Sequence, residues 1–133
     1  MFKYKAKLVK LDEEIEELGF FIINGIELLC FISSVTFQLE LNKEYLVELT
    51  YQILDEYHIN NTPEQYTIGF KNINNNFNYH LYGSFKENIL SVNSIKFTDE
   101  FLVNHFPYLE NKNIVLFIDR LEISIEQVLN EQE

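Results

Sequence analysis

No other stretch offers a core so much apolar surface as Gly19–Leu54, and within it apolar positions recur with a period of two. Ile26, Leu28, Cys30 and Ile32 alternate with Glu27, Leu29, Phe31 and Ser33, which suits a strand and not a helix. Asn24-Gly25 divides two apolar runs. Both residues accept positive φ, so Phe20–Ile23 and Ile26–Ile32 read as antiparallel neighbours joined by a type I′ turn. A third strand, Tyr45–Leu54, has Tyr45, Val47, Leu49, Tyr51 and Ile53 on its apolar face and is entered through a polar turn at Leu41-Asn42-Lys43-Glu44.

The same pattern extends outward. Phe2, Tyr4, Ala6 and Leu8 share a face opposite Lys3, Lys5 and Lys7, which predicts a half-buried first strand. Leu11–Leu18 has apolar residues at 11, 15 and 18 and reads as a helix of at most two turns or as an acidic loop. Asp55–Gln65 is broken by Asn-Asn-Thr-Pro and reads as an exposed loop. Tyr66–Phe70 is a short strand, and Lys71–Asn78, with Asn74-Asn75-Asn76, is a turn. Tyr79–Phe85 and Ile89–Phe97 form a hairpin across Lys86-Glu87-Asn88, with Gly83 marking a bulge or corner. Thr98 reads as the N-cap of a short helix carrying Phe101, Leu102 and His105 or Phe106 on one side, stopped by Pro107. The last strand runs Asn113–Ile125, with its apolar set switching sides at Asp119-Arg120.

No crossover helix is long enough for a parallel α/β sheet. The expectation is an all-β or β-rich α+β chain: a small antiparallel Greek-key barrel, OB-like, with one or two short helices, and a β-sandwich as the alternative. One domain would span 1–126 and a polar tail 127–133. At 133 residues with 47% hydrophobic and 15% aromatic content, such a domain needs no staple. The predicted core comprises Phe2, Tyr4, Leu8, Phe21, Ile26, Leu28, Cys30, Ile32, Val47, Leu49, Tyr51, Leu81, Val92, Ile95, Leu116 and Ile118.

The single cysteine, Cys30, excludes an intrachain disulfide and sits on an apolar face with nothing nearby to stabilise a thiolate. No run has a signal peptide's apolar centre or the length of a membrane span, so a cytoplasmic protein is expected. Net charge is −11, and residues 11–70 hold twelve acids against Lys43 alone. That balance disfavours nucleic acid, whose binding depends on Lys and Arg displacing counterions.

Catalytic signatures are absent: there is no G-x-S-x-G, H-E-x-x-H, phosphate-binding loop, dinucleotide fingerprint or zinc-type Cys pair. His58, His80 and His105 lie on separate elements, so no metal and no cofactor is expected. Asp55-Glu56 and Asp99-Glu100 sit at element ends, where acids are ordinary caps and solvated turns. Arg120, the only arginine, stands next to Asp119 and reads as a structural charge. The tyrosines outnumber what a core holds easily, and exposed Tyr is enriched at protein interfaces. The expected function is therefore a non-enzymatic interaction protein, an inhibitor or immunity-type partner of a basic toxin or nuclease. Asp12, Glu13, Glu14, Glu16, Glu17, Asp55, Glu56, Tyr57 and Glu64 would form its interface. An OB-type module binding single-stranded nucleic acid or oligosaccharide is the alternative, and a small hydrolase has no constellation to support it.

Overall fold

The computed structural model describes residues 2–62, 68–73 and 76–129. Its elements, in chain order, are β1 (Tyr4–Leu11), β2 (Leu18–Ile23), β3 (Ile26–Ser34), β4 (Glu44–Gln52), β5 (Ile59–Asn61), β6 (Gly69–Asn72), β7 (Tyr79–Lys86), β8 (Ile89–Val92), β9 (Ile95–Thr98), α1 (Glu100–His105), a 3-10 turn (Pro107–Leu109), β10 (Lys112–Ile118) and β11 (Arg120–Val128). Where the alternation suggests one domain over 1–126, backbone contacts group the chain into two compact units. One is Met1–Tyr51 with Arg120–Glu133, and the other is Gln52–Asp119.

The first unit is a closed five-stranded barrel in the order β1-β2-β3-β11-β4, an OB-like Greek key. Antiparallel pairing joins β1 to β2, β2 to β3 and β1 to β4, while β3 and β11 run parallel. The β2–β3 turn is the one expected, with Asn24 at φ 53° and Gly25 at φ 80°. Inside lie Ala6, Leu8, Phe21, Ile23, Leu28, Cys30, Tyr45, Val47, Leu121 and Ile123, all essentially without solvent contact. Burial pushes the Cys30 thiol well above its ordinary range, so it is a small core residue. Of the predicted core, Phe2, Tyr4, Ile26, Ile32 and Tyr51 are only half-buried, since they stand at strand ends and turns where the wall is incomplete. Leu11 ends β1 and Leu18 opens β2, and the residues between them form the acidic loop of the two readings and not a helix. The Asp12 carboxylate accepts the Glu14 and Ile15 N–H groups at 2.9 and 2.7 Å and so holds the turn between the two strands.

The second unit is a six-stranded sheet in the order β5-β10-β7-β8-β9, with β6 also on β7. Its inner face buries Tyr79, Leu81, Phe85, Leu90, Val92, Ile95, Phe97, Ile114, Leu116 and Ile118, together with Leu102 of α1 and Leu109 of the 3-10 turn. Three expectations change here. Ile89–Phe97 is two strands, because Asn93 and Ser94 both take positive φ (52° and 68°) and fold it into a second hairpin. The expected loop 55–65 contains β5, which pairs with β10. Thr98 is the last residue of β9, and Asp99 caps α1 instead, accepting the Leu102 N–H at 3.1 Å. The strand expected at 66–70 begins at Gly69 in β6, and 66 and 67 lie outside the described residues, as do 74 and 75 of the Asn run.

The predicted last strand divides at Asp119. Ile114, Leu116 and Ile118 serve the sheet, Leu121, Ile123 and Ile125 the barrel, and the switch of sides is the passage from one unit to the other. The expected tail begins too early, since β11 runs to Val128 and the Leu129 N–H reaches the Glu44 carbonyl. No helix among the described residues is long and apolar enough to cross a membrane.

Gly83 sits where β7 exchanges partners on one edge, from β6 at Tyr79–Tyr82 to β8 at Ser84–Lys86. A Cβ there would press on the Ser91 carbonyl and come 2.8 Å from Val92 Cγ2. Gly83→Ala is expected to lower stability by about 1–3 kcal/mol, as overpacking does. The urea midpoint, at unchanged slope, is the measurement.

Candidate functional site

In the barrel unit, the β1–β2 loop and the 35–43 connection flank a groove of about 640 Å³. Leu11, Ile32, Val35, Phe37 and Leu39 supply its apolar lining, and Glu16 and Glu17 its charge. Both flanking segments are pinned. The Glu17 carbonyl accepts the Ile32 N–H at 2.6 Å, and the Leu18 carbonyl accepts the Asp12 N–H at 2.9 Å. On the other side the buried Tyr45 hydroxyl accepts the Glu40 N–H at 2.8 Å and donates to the Glu40 carbonyl, and its ring stacks on Phe37 at 5.9 Å. The groove is thus a depression of mixed polar and apolar lining, bordered by two exposed carboxylates.

The second unit has an acidic and aromatic surface around α1. Tyr57 stacks on Phe101 at 4.5 Å, Phe101 on His105 at 4.0 Å, and Phe106 lies within 6.1 Å of both Tyr57 and Tyr108. The i, i+4 spacing puts Phe101 and His105 on one helix face, while Leu102 turns inward to the core. Phe101 is 44% and Tyr108 68% exposed. The Tyr57 hydroxyl donates to Asp99 Oδ2 at 2.8 Å, so one carboxylate both caps α1 and anchors the cluster. Burial first, and then Asp99, pushes the Tyr57 phenol far above its ordinary range, so it stays a neutral donor. Exposed Asp55 and Glu56 lead into this tyrosine, and exposed Glu100 opens the helix.

Of the residues expected at an interface, Glu16 and Glu17 reach the groove, Glu13 and Glu14 are exposed on the same loop, and Asp12 is occupied in building the turn. Asp55, Glu56 and Tyr57 belong to the other unit, and Glu64 lies outside the described residues. Tyr57 is a support for the aromatic cluster, whose exposed members Phe101, His105 and Tyr108 the expectation missed. Three aromatics within eight residues around Pro107, of which a short helix can bury only one side, were the available signal.

Among the described residues no group of three or more His, Cys, Asp or Glu side chains is placed to hold a metal ion. The profile of a family described as uncharacterised conserved protein UCP019853 matches residues 2–126. The chain belongs to that family. The match takes in β1 through most of β11 and so covers both the barrel and the sheet of this chain. No curated protein and no solved structure matches the chain.

Backbone donors from Ile15 and then Glu14 hold the Asp12 carboxyl below its ordinary 3.8. With a depressed folded value, the support it gives the loop is present above 3.8 and lost as pH falls through the lower one. The Glu14 and Ile15 amide shifts should therefore titrate together with a midpoint below 3.8. Asp12→Asn should abolish that inflection, and a midpoint at or above the ordinary value would contradict the turn geometry.

Proposed function

We propose that the chain is a non-enzymatic protein-binding module, an inhibitor or immunity-type partner that covers a basic surface of an enzyme such as a nuclease. The observation that carries this reading is the α1 surface, where solvent-exposed Phe101 and Tyr108 stand among carboxylates on a rigid, internally hydrogen-bonded support. Binding hot spots are exposed aromatics of this kind, and surrounding charge speeds the encounter with an oppositely charged partner. The groove beside Glu16 and Glu17 offers a second place for an apolar side chain flanked by lysine or arginine. On the barrel, OB folds use the first strand connection for polyanions and sugars. Here that connection carries five acids, which favours a cationic partner over a phosphate chain.

The test starts from a basic protein recovered with the tagged chain and then purified. Phe101→Ala and Tyr108→Ala should each weaken its binding by roughly 10-fold or more, seen mainly in dissociation. Converting Glu13, Glu14, Glu16 and Glu17 to Lys should slow association and flatten its salt dependence. A partner indifferent to all six substitutions would remove the proposal.

A further inference from the structure

The outer face of the second unit's sheet is basic in an acidic chain. Among the described residues, β5 to β10 contain four lysines, Lys71, Lys86, Lys96 and Lys112, and no aspartate or glutamate. The acids of this unit lie on its connections and its helix, and several are occupied there. Asp99 caps α1, Asp119 accepts the Leu54 N–H, and Glu110 accepts the Glu87 N–H. In a chain with 21 acids and 10 bases, a sheet that carries only positive charge is a local reversal of sign.

Register shows which side chains share this face. Lys71 pairs with His80 and His80 with Phe117, so the three form one row across β6, β7 and β10. Ser84 pairs with Ser91 and Ser91 with Lys96, giving a second row, and Lys86 falls on the same side by alternation along β7. All of these are exposed or half-exposed, in contrast to Leu81, Phe85, Leu116 and Ile118 on the inner side. At the centre the His80 ring lies flat on Phe117, 3.7 Å between centroids and 8° between planes, with His58 tilted at 6.2 Å beyond it. Phe117 is 37% exposed on β10, a strand paired on both sides. Burial, and then the charge of Lys71, holds the His80 imidazole below its ordinary 6.5, so at neutral pH it is an uncharged stacking surface.

We infer that this face binds single-stranded nucleic acid, its bases extending the aromatic row of Phe117 and His80 and its phosphates meeting Lys71, Lys86 and Lys96. Aromatic rings at the centre of a sheet, flanked by lysines, are the combination that sequence-tolerant single-strand binding requires. An acidic protein segment would use the lysines and leave the aromatic row without a purpose. Net charge does not decide the matter, because charges beyond about 8 Å are screened at physiological salt and a bound strand responds to the face beneath it. The inference is independent of the acidic surfaces of the proposed function.

The test is fluorescence anisotropy of a labelled mixed-sequence single-stranded octanucleotide with the full chain at about 50 mM salt. Binding should saturate and weaken with salt at a log–log slope of about −2, from three lysines at about 0.7 each. Phe117→Ser should weaken it by roughly 5-fold or more, and Lys71→Glu with Lys96→Glu should abolish it. Amide shift mapping of the unaltered chain provides a readout that does not depend on any variant folding. Perturbations should centre on residues 71, 80–86, 91–96 and 113–117. The inference is overturned by absence of saturable binding, by shifts confined to the barrel, or by a poly-glutamate peptide binding as tightly with no loss in Phe117→Ser.

Discussion

Barrel closure depends on keeping β4 and β11 side by side although the whole of the second unit separates them in sequence. Adjacent strands run about 4.8 Å apart, so the two ends of the insert must be held at that spacing. Asp119 does this from inside the insert. Its N–H reaches the Gln52 carbonyl at 2.9 Å, and its carboxylate accepts the Leu54 N–H at 2.6 Å. Closing a loop of this length costs entropy that grows only slowly with length, which explains how so large an insertion is compatible with the barrel. The parallel junction of β3 with β11 follows from the same arrangement, since a strand arriving from the far end of the chain is not bound to hairpin geometry.

What the sequence revealed of this fold is what period and turn chemistry can carry. Asn24-Gly25 announces its hairpin because glycine and asparagine are the residues that tolerate left-handed backbone. Asn93-Ser94 makes the same kind of turn with a weaker pair and passed for the interior of a strand. A second signal was nevertheless present. The buried positions run even at Leu90 and Val92 and odd at Ile95 and Phe97, as they run even at Ile114, Leu116 and Ile118 and odd at Leu121, Ile123 and Ile125. Each change of parity marks a break in the strand, whereas the alternation alone reads the second as a switch of sides within one strand and the first not at all. That the second break is also a unit boundary was not legible, because alternation records which side is buried and not against which core it is buried.

The interface residues were legible as composition and not as geometry. Runs of acid such as Asp12–Glu17 are visible in any sequence, yet the fold assigns them different tasks: Asp12 to a turn, Glu16 and Glu17 to a groove. Tyr57 illustrates the limit. Its position between acids and polar residues marks it as an exposed anchor, whereas the fold spends its hydroxyl on Asp99 and its ring on Phe101. In this cluster Phe101, 44 residues further along the chain, meets Tyr57 directly, and exposed Tyr108 joins it through Phe106.

Charge is segregated by type of backbone as well as by sequence. Among the described residues of the second unit, Asp99, Glu110 and Asp119 accept backbone N–H groups outside the strands, while the strands hold lysines and no carboxylate. Backbone N–H groups in a sheet are already paired, so a carboxylate there has no main-chain donor to accept from, whereas a lysine can extend its head to water along an apolar stem. This segregation holds for the second unit alone, since the barrel's strands keep Glu27, Glu44, Glu48, Glu122 and Glu126. The sheet face that results is positive through the placement of a few residues and not through any excess of them. A reading based on net charge averages over these two populations, and for that reason it describes the solubility and the long-range field of the molecule but not the preference of an individual face.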